Sequence, residues 1–165
     1  MIVIPFVFSH DNIFQSVKQE SSHLAERRYD EQGNTLFEQL VFDEEYLIKY
    51  REVFFEARAE IIKVVSAYTK DISFDPKYFE ERYFDRDRDF YLTLIMPDDF
   101  NKSVTQAIDI KIKQFLVAYI MYRWLETKLP NEANIYQLRA TEQLNDIKNL
   151  LLRRDKYLRR KHRLW

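Results

Sequence analysis

A single glycine, Gly33, in a chain of 165 residues is the strongest constraint on what this sequence can become. Glycine supplies positive φ and close backbone approach without a steric penalty. A chain almost devoid of it has no glycine-rich phosphate loop, no dinucleotide fingerprint and no nucleophile elbow. Cysteine is absent altogether, which removes disulfides, thiolate metal sites and cysteine nucleophiles. With 46% apolar and 16% aromatic residues, a chain of this length has material for one self-sufficient core. Residues 1–165 therefore read as a single domain, mainly α, a four-helix bundle with a small two-stranded β-ribbon.

The helices follow from spacing. Ser9 is placed as an N-cap, with Phe8 and Ile13 as the two halves of a hydrophobic staple, and predicts a first helix near 10–29. The Gly33-Asn34 turn puts a loop at 30–42. Asp43 caps the clearest element, a helix near 43–69 with Leu47, Tyr50, Phe54, Ala57, Ile61, Val64 and Tyr68 at alternating steps of three and four. That seam reads as a bundle core rather than an intermolecular coiled coil. Asp98 and Asp99, or Ser103 with Gln106, are alternative caps for a third helix near 99–129. Its stretch 115–125 is apolar on almost every face and marks the most buried helix. A fourth is expected near 131–160, with Asn131 as its cap. Helices two and three are expected as the central pair, burying Leu47, Phe54, Ile61, Ile112, Phe115 and Tyr119.

Aromatic and β-branched residues between Asp71 and Met96 predict two short strands within 74–96, joined around Asp85–Asp89, of which 88–96 is the better. The opening octet Met1–Phe8 has three possible fates: a further strand, a cover on the bundle, or a dock on another subunit. It lacks a basic region and a cleavage site and is interrupted by Pro5, so it does not read as a signal peptide. The longest internal apolar run, 115–122, is far short of the roughly 20 residues needed to span a bilayer. No membrane partner and a cytoplasmic location are the resulting expectations.

Chemistry finds little purchase. Asp85-x-Asp87-x-Asp89 opens like a calcium loop, but Phe90 stands where its turn glycine belongs and Met96 where its bidentate glutamate belongs. His10, His23 and His162 share no ligand spacing and read as solvated surface groups. The acid pairs Glu44-Glu45 and Asp98-Asp99 are explained by helix starts. No catalytic, cofactor-binding or metal residue is assigned, no cofactor is expected, and the chain reads as a non-enzyme. The aromatics of 78–91 lie among acids rather than the basic neighbours of an RNA-binding sheet.

Charge is the most informative feature. The last thirteen residues hold Arg153, Arg154, Lys156, Arg159, Arg160, Lys161 and Arg163 against one acid, Asp155. The chain as a whole is −1, so a +6 end leaves −7 for residues 1–152. This basic C-terminal arm, 153–165, reads either as cations favoured at a helix C-terminus or as a contact with one of three partners: nucleic-acid phosphate, an anionic surface, or the acidic body of a neighbouring copy. The terminal Leu164-Trp165 favours protein contact. The interaction candidates are thus the seven cations and Trp165, with self-association or another structural protein as partner and nucleic acid as the alternative.

The layout of Leu47–Tyr68, then Phe115-Leu-Val-Ala-Tyr-Ile-Met-Tyr-Arg-Trp-Leu125, Leu129-Pro-Asn-Glu-Ala133 and an Arg-rich end resembles small tailed-phage and prophage head–tail connector (adaptor) proteins. The resemblance spans most of the chain in layout and length and includes no diagnostic motif. It implies a virion structural protein whose copies pack side by side into a ring through heterologous contacts.

Overall fold

The structure, a computed structural model, describes residues 1–69 and 89–155. The opening octet is a strand. β1 (Ile2–Phe8) pairs antiparallel with β2 (Phe90–Met96), in a register running from Ile2 opposite Met96 to Phe8 opposite Phe90. The strand expected near 88–96 is therefore present, and its partner is the N-terminal octet. The strand expected within 74–84, and residues 85–88 of the acidic loop, lie outside the described residues. Pro5 is tolerated because, among the described residues, β1 has no strand on its other side.

Five α-helices follow among the described residues: α1 (His10–Ala25), α2 (Phe37–Leu40), α3 (Leu47–Val65), α4 (Thr105–Leu125) and α5 (Pro130–Leu151). Ser9 caps α1 as its spacing predicts, its hydroxyl accepting from the Asn12 amide at 3.3 Å, and the staple residues Phe8 and Ile13 are both buried. Asp43 accepts from the Glu44 amide at 2.7 Å and starts a 3₁₀ turn that leads into α3. Among the described residues Gly33 is the one at positive φ, +81°. It sits in a turn clasped by the Asp30 carboxylate, which accepts from the amides of Gln32 and Asn34. These bonds, the Asn34 side chain foremost, hold the Asp30 carboxyl below the usual range.

Several boundaries differ from expectation. The loop at 30–42 contains the short α2, whose Leu40 is buried. Asp98 and Asp99 do not cap α4: Asp98 meets the Met1 amino group and Asp99 meets Arg154. Asn101 caps the 3₁₀ turn Lys102–Val104 that leads into α4, accepting from the Ser103 amide at 3.0 Å, and α4 itself starts without a side-chain cap. Pro130 occupies the first turn of α5 with Leu129 as its cap residue, so Asn131 lies inside the helix. Proline suits that position because its missing N–H has no helical partner there.

The central pair is α4 with α5 rather than α3 with α4. A connection of only four residues, 126–129, folds α5 back along α4, and Lys111 meets Asp146 at 2.7 Å across the far end of the pair. With its second half, 115–125, apolar on almost every face, α4 also takes α3 and α1 against its other sides. Phe54, Ile61, Ile112 and Phe115 are enclosed as expected. Leu47, in the first turn of α3, and Tyr119 are only half-buried. The Tyr119 hydroxyl lies among charged neighbours, Glu56 and Arg123, and burial raises its pKa.

Where α1, α3 and α4 converge, the core is an aromatic knot. Phe14, Phe42, Tyr50 and Trp124 meet edge to face at centroid separations of 4.6 to 6.1 Å, the geometry favoured by aromatic quadrupoles. Its polar atoms are satisfied: Trp124 Nε1 donates to the Leu40 carbonyl at 2.8 Å, and the Tyr50 hydroxyl donates to the His10 carbonyl at 2.7 Å. Burial drives the Tyr50 hydroxyl pKa far upward. Lys128 caps the knot, its Nζ 3.3 Å above the Trp124 ring and bonded to the Gln39 carbonyl.

Candidate interaction surface

The ribbon's pleat sends alternate side chains to opposite faces. The inner set, Ile4, Phe6, Phe8, Phe90, Leu92, Leu94 and Met96, is buried on the helices. The outer set forms three cross-strand rows: Val3 with Ile95, Pro5 with Thr93, and Val7 with Tyr91. Not one of these six is charged, in a chain where 32% of residues are. Val3, Val7 and Tyr91 are 62%, 52% and 68% exposed. An antiparallel sheet with one solvated face ordinarily places polar residues there. A contiguous uncharged exposed face is a candidate contact surface.

Val7 carries this surface into a cleft of about 730 Å³. The cleft runs between α1 and α5 over a floor of Ile13, Val117 and Ala118. One bridge ties its walls: Tyr136 donates to Glu20 at 2.7 Å, with Arg139 Nη1 3.8 Å from the same oxygen. Arg28 pairs with Glu132 beside a neighbouring hollow. Burial first, and then the bond to Glu20, push the Tyr136 hydroxyl pKa well up, so it stays a protonated donor at neutral pH. The cluster is a structural tether between helices. Lys113, on the rim, is paired with Asp109 at 2.6 Å.

The basic segment begins inside the fold. α5 ends at Leu151, short of 160, because the backbone beyond it turns to pair with residues 99–101. Phe100 bridges Arg154, Asn101 N–H donates to the Arg153 carbonyl at 3.2 Å, and Asp155 N–H donates to the Asp99 carbonyl at 2.8 Å. Arg154 donates to the Leu151 carbonyl at 2.9 Å and approaches Asp99 at 3.5 Å. It thus satisfies an open carbonyl of the helix terminus. Arg153 is exposed. Lys156, Arg159, Arg160, Lys161, Arg163 and Trp165 lie outside the described residues.

His23 is exposed, as expected of a surface histidine. His10 is not: it is 4% exposed, with its ring edge-on to Tyr50 and Phe54 at 4.8 and 5.3 Å. It opens α1 at the point where the chain leaves β1, so the ribbon's own packing carries it into the core. Asp89 accepts from the His10 amide at 2.9 Å, at the start of α1. Among the described residues no group of three acids or histidines is gathered as a metal site, and no helix is long and apolar enough to cross a membrane.

No protein family, no curated protein and no solved structure matches this chain.

The outer face of the ribbon is the feature that residue-by-residue inspection for chemistry overlooks. Its signal was in the octet itself. Ile2-Val-Ile-Pro-Phe-Val-Phe8 is apolar at both odd and even positions, the pattern of a strand expected to be covered on two sides.

Proposed function

We propose that this protein is a non-enzymatic assembly component, a structural subunit that works by binding other protein surfaces. The observation that carries the reading is the uncharged, exposed outer face of the β1–β2 ribbon. Desolvating such a face is favourable by roughly 25 cal/mol per Å² of apolar surface, and no charge on it has to be stripped of water. The tailed-phage head–tail connector is the kind of subunit that the chain's layout resembles, and it supplies the structural role proposed here. The basic C-terminal segment adds a second, electrostatic contact beyond Arg154.

Native mass distinguishes these contributions. Light scattering on the full chain at rising concentration, at roughly 50 and 500 mM salt, separates them because salt screens exposed charges and leaves apolar burial intact. The expected result is a mass that rises with concentration and is held or increased at high salt. A monomer under every condition overturns the proposal.

A further inference from the structure

We infer that the partner of the ribbon's outer face is a second copy of this chain, packed face to face about a two-fold axis. This rests on the assembly reading above and names its partner.

The argument is electrostatic and geometric. When identical faces pack together, the two-fold axis lies in the plane between them, and residues near it meet their own counterparts. A charge there would face the same charge, which is strongly unfavourable once water is excluded. A face built to meet a charged partner carries complementary charges. A face that meets itself at its centre must be neutral, and this one is neutral at all six outward positions. Its middle row is Pro5 opposite Thr93, with apolar rows on both sides. Whether the axis runs along the strands or across them, the middle row of one copy faces the middle row of the other. Sheets in such contact lie about 10 Å apart, close enough for the outer residues to touch.

Size sets the strength. Two seven-residue strands present a face roughly 24 Å long and 10 Å wide, well below the ~800 Å² per partner of a standard interface. The pair is therefore weak and concentration-dependent. An isologous pair closes on itself, so a ring of the connector type would need a different surface.

The absence of cysteine makes the test direct. Thr93→Cys places one thiol at the centre of the face, and Gln15→Cys places one on an exposed position of α1 outside the cleft as the collision control. With a short bismaleimide, Thr93→Cys is expected to give covalent dimer at several times the yield of Gln15→Cys. In a second experiment, Thr93→Lys and Thr93→Glu are each expected to weaken association by at least about tenfold, and their equimolar mixture to regain it. Circular dichroism checks that each variant is folded. Equal crosslinking of the two cysteine variants, or no recovery on mixing, overturns the inference. If wild-type mass still rises with concentration in that case, the assembly reading stands and only the self-pairing face is wrong. If wild type is monomeric throughout, both fall.

Discussion

Phe6 and Val7 are neighbours on β1, yet Phe6 is 6% exposed and Val7 is 52% exposed. Neither face of the ribbon carries a charge, and the larger difference between them is what lies against each. The inner face meets the helices. Its ends are pinned, at Phe8 by the Tyr50–His10 and Asp89–His10 bonds, and beyond Met96 by the Phe100–Arg154 bridge. The outer face has the same apolar character with nothing of the described fold over it. Hydrophobicity therefore identifies both faces as surfaces to be covered, and only the fold tells which one the chain covers for itself.

The contrast can be broken first at the inner face. Phe8→Ala removes a fully enclosed ring and is expected to cost about 3–5 kcal/mol in stability, read from chemical denaturation. A loss below about 1 kcal/mol would mean that the inner face is no more essential than the outer. Tyr50→Phe tests the pin behind Phe8. The His10 carbonyl keeps its place in the α1 ladder, so losing the Tyr50 bond is expected to cost about 0.5–1.5 kcal/mol, with faster amide exchange at the start of α1. On the outer face, Tyr91→Ser is expected to change stability by no more than about 0.5 kcal/mol while reducing concentration-dependent mass. A large stability loss there would show that the face is already covered within the monomer.

The smallest effect concerns surface charge of the kind the outer face lacks. The Glu44 amide, and then Lys18, hold the Asp43 carboxyl below its ordinary value of 3.8. A depressed carboxyl stabilises the fold above that value, and the contribution is lost as pH falls through the folded pKa. Melting temperatures of wild type and Asp43→Asn are thus expected to differ slightly at pH 6 and to converge as the pH drops below about 3.8. Asparagine keeps the cap and removes only the charge. A gap that persists at low pH would assign the effect to packing.

Much of the fold was legible because its signals are local. Ser9 and Asp43 cap where their sequence contexts place them, and the all-round apolar stretch 115–125 is the buried heart of the bundle. The misjudged features depend on residues distant in sequence. The strand over 88–96 was recognisable from composition, but its pairing with Ile2–Phe8, more than eighty positions away, was one of several possibilities for the octet. His10 looked like a surface group because its burial comes from Tyr50 and Phe54. Asp98, Asp99 and Arg154 looked like helix-end charges, and tertiary pairing put them to other use. The candidate surface was half legible: the sequence showed a strand apolar on both sides, and not which side would be left open.

By itself, then, the sequence determined the helical periodicities, the single glycine turn, the exclusion of glycine-loop and thiol chemistry, and the uneven distribution of charge. Each of these is a property of residue types at short spacing. The tertiary structure decided the partner of each strand, the helix that sits at the centre, and the burial of His10. It also ended α5 at Leu151 and left Val3, Val7 and Tyr91 facing outward. Those outcomes depend on which surfaces meet when distant segments compete to cover apolar area. Hydrophobic attraction is non-directional, so a sequence can state how much surface must be buried while the packed shape alone chooses where.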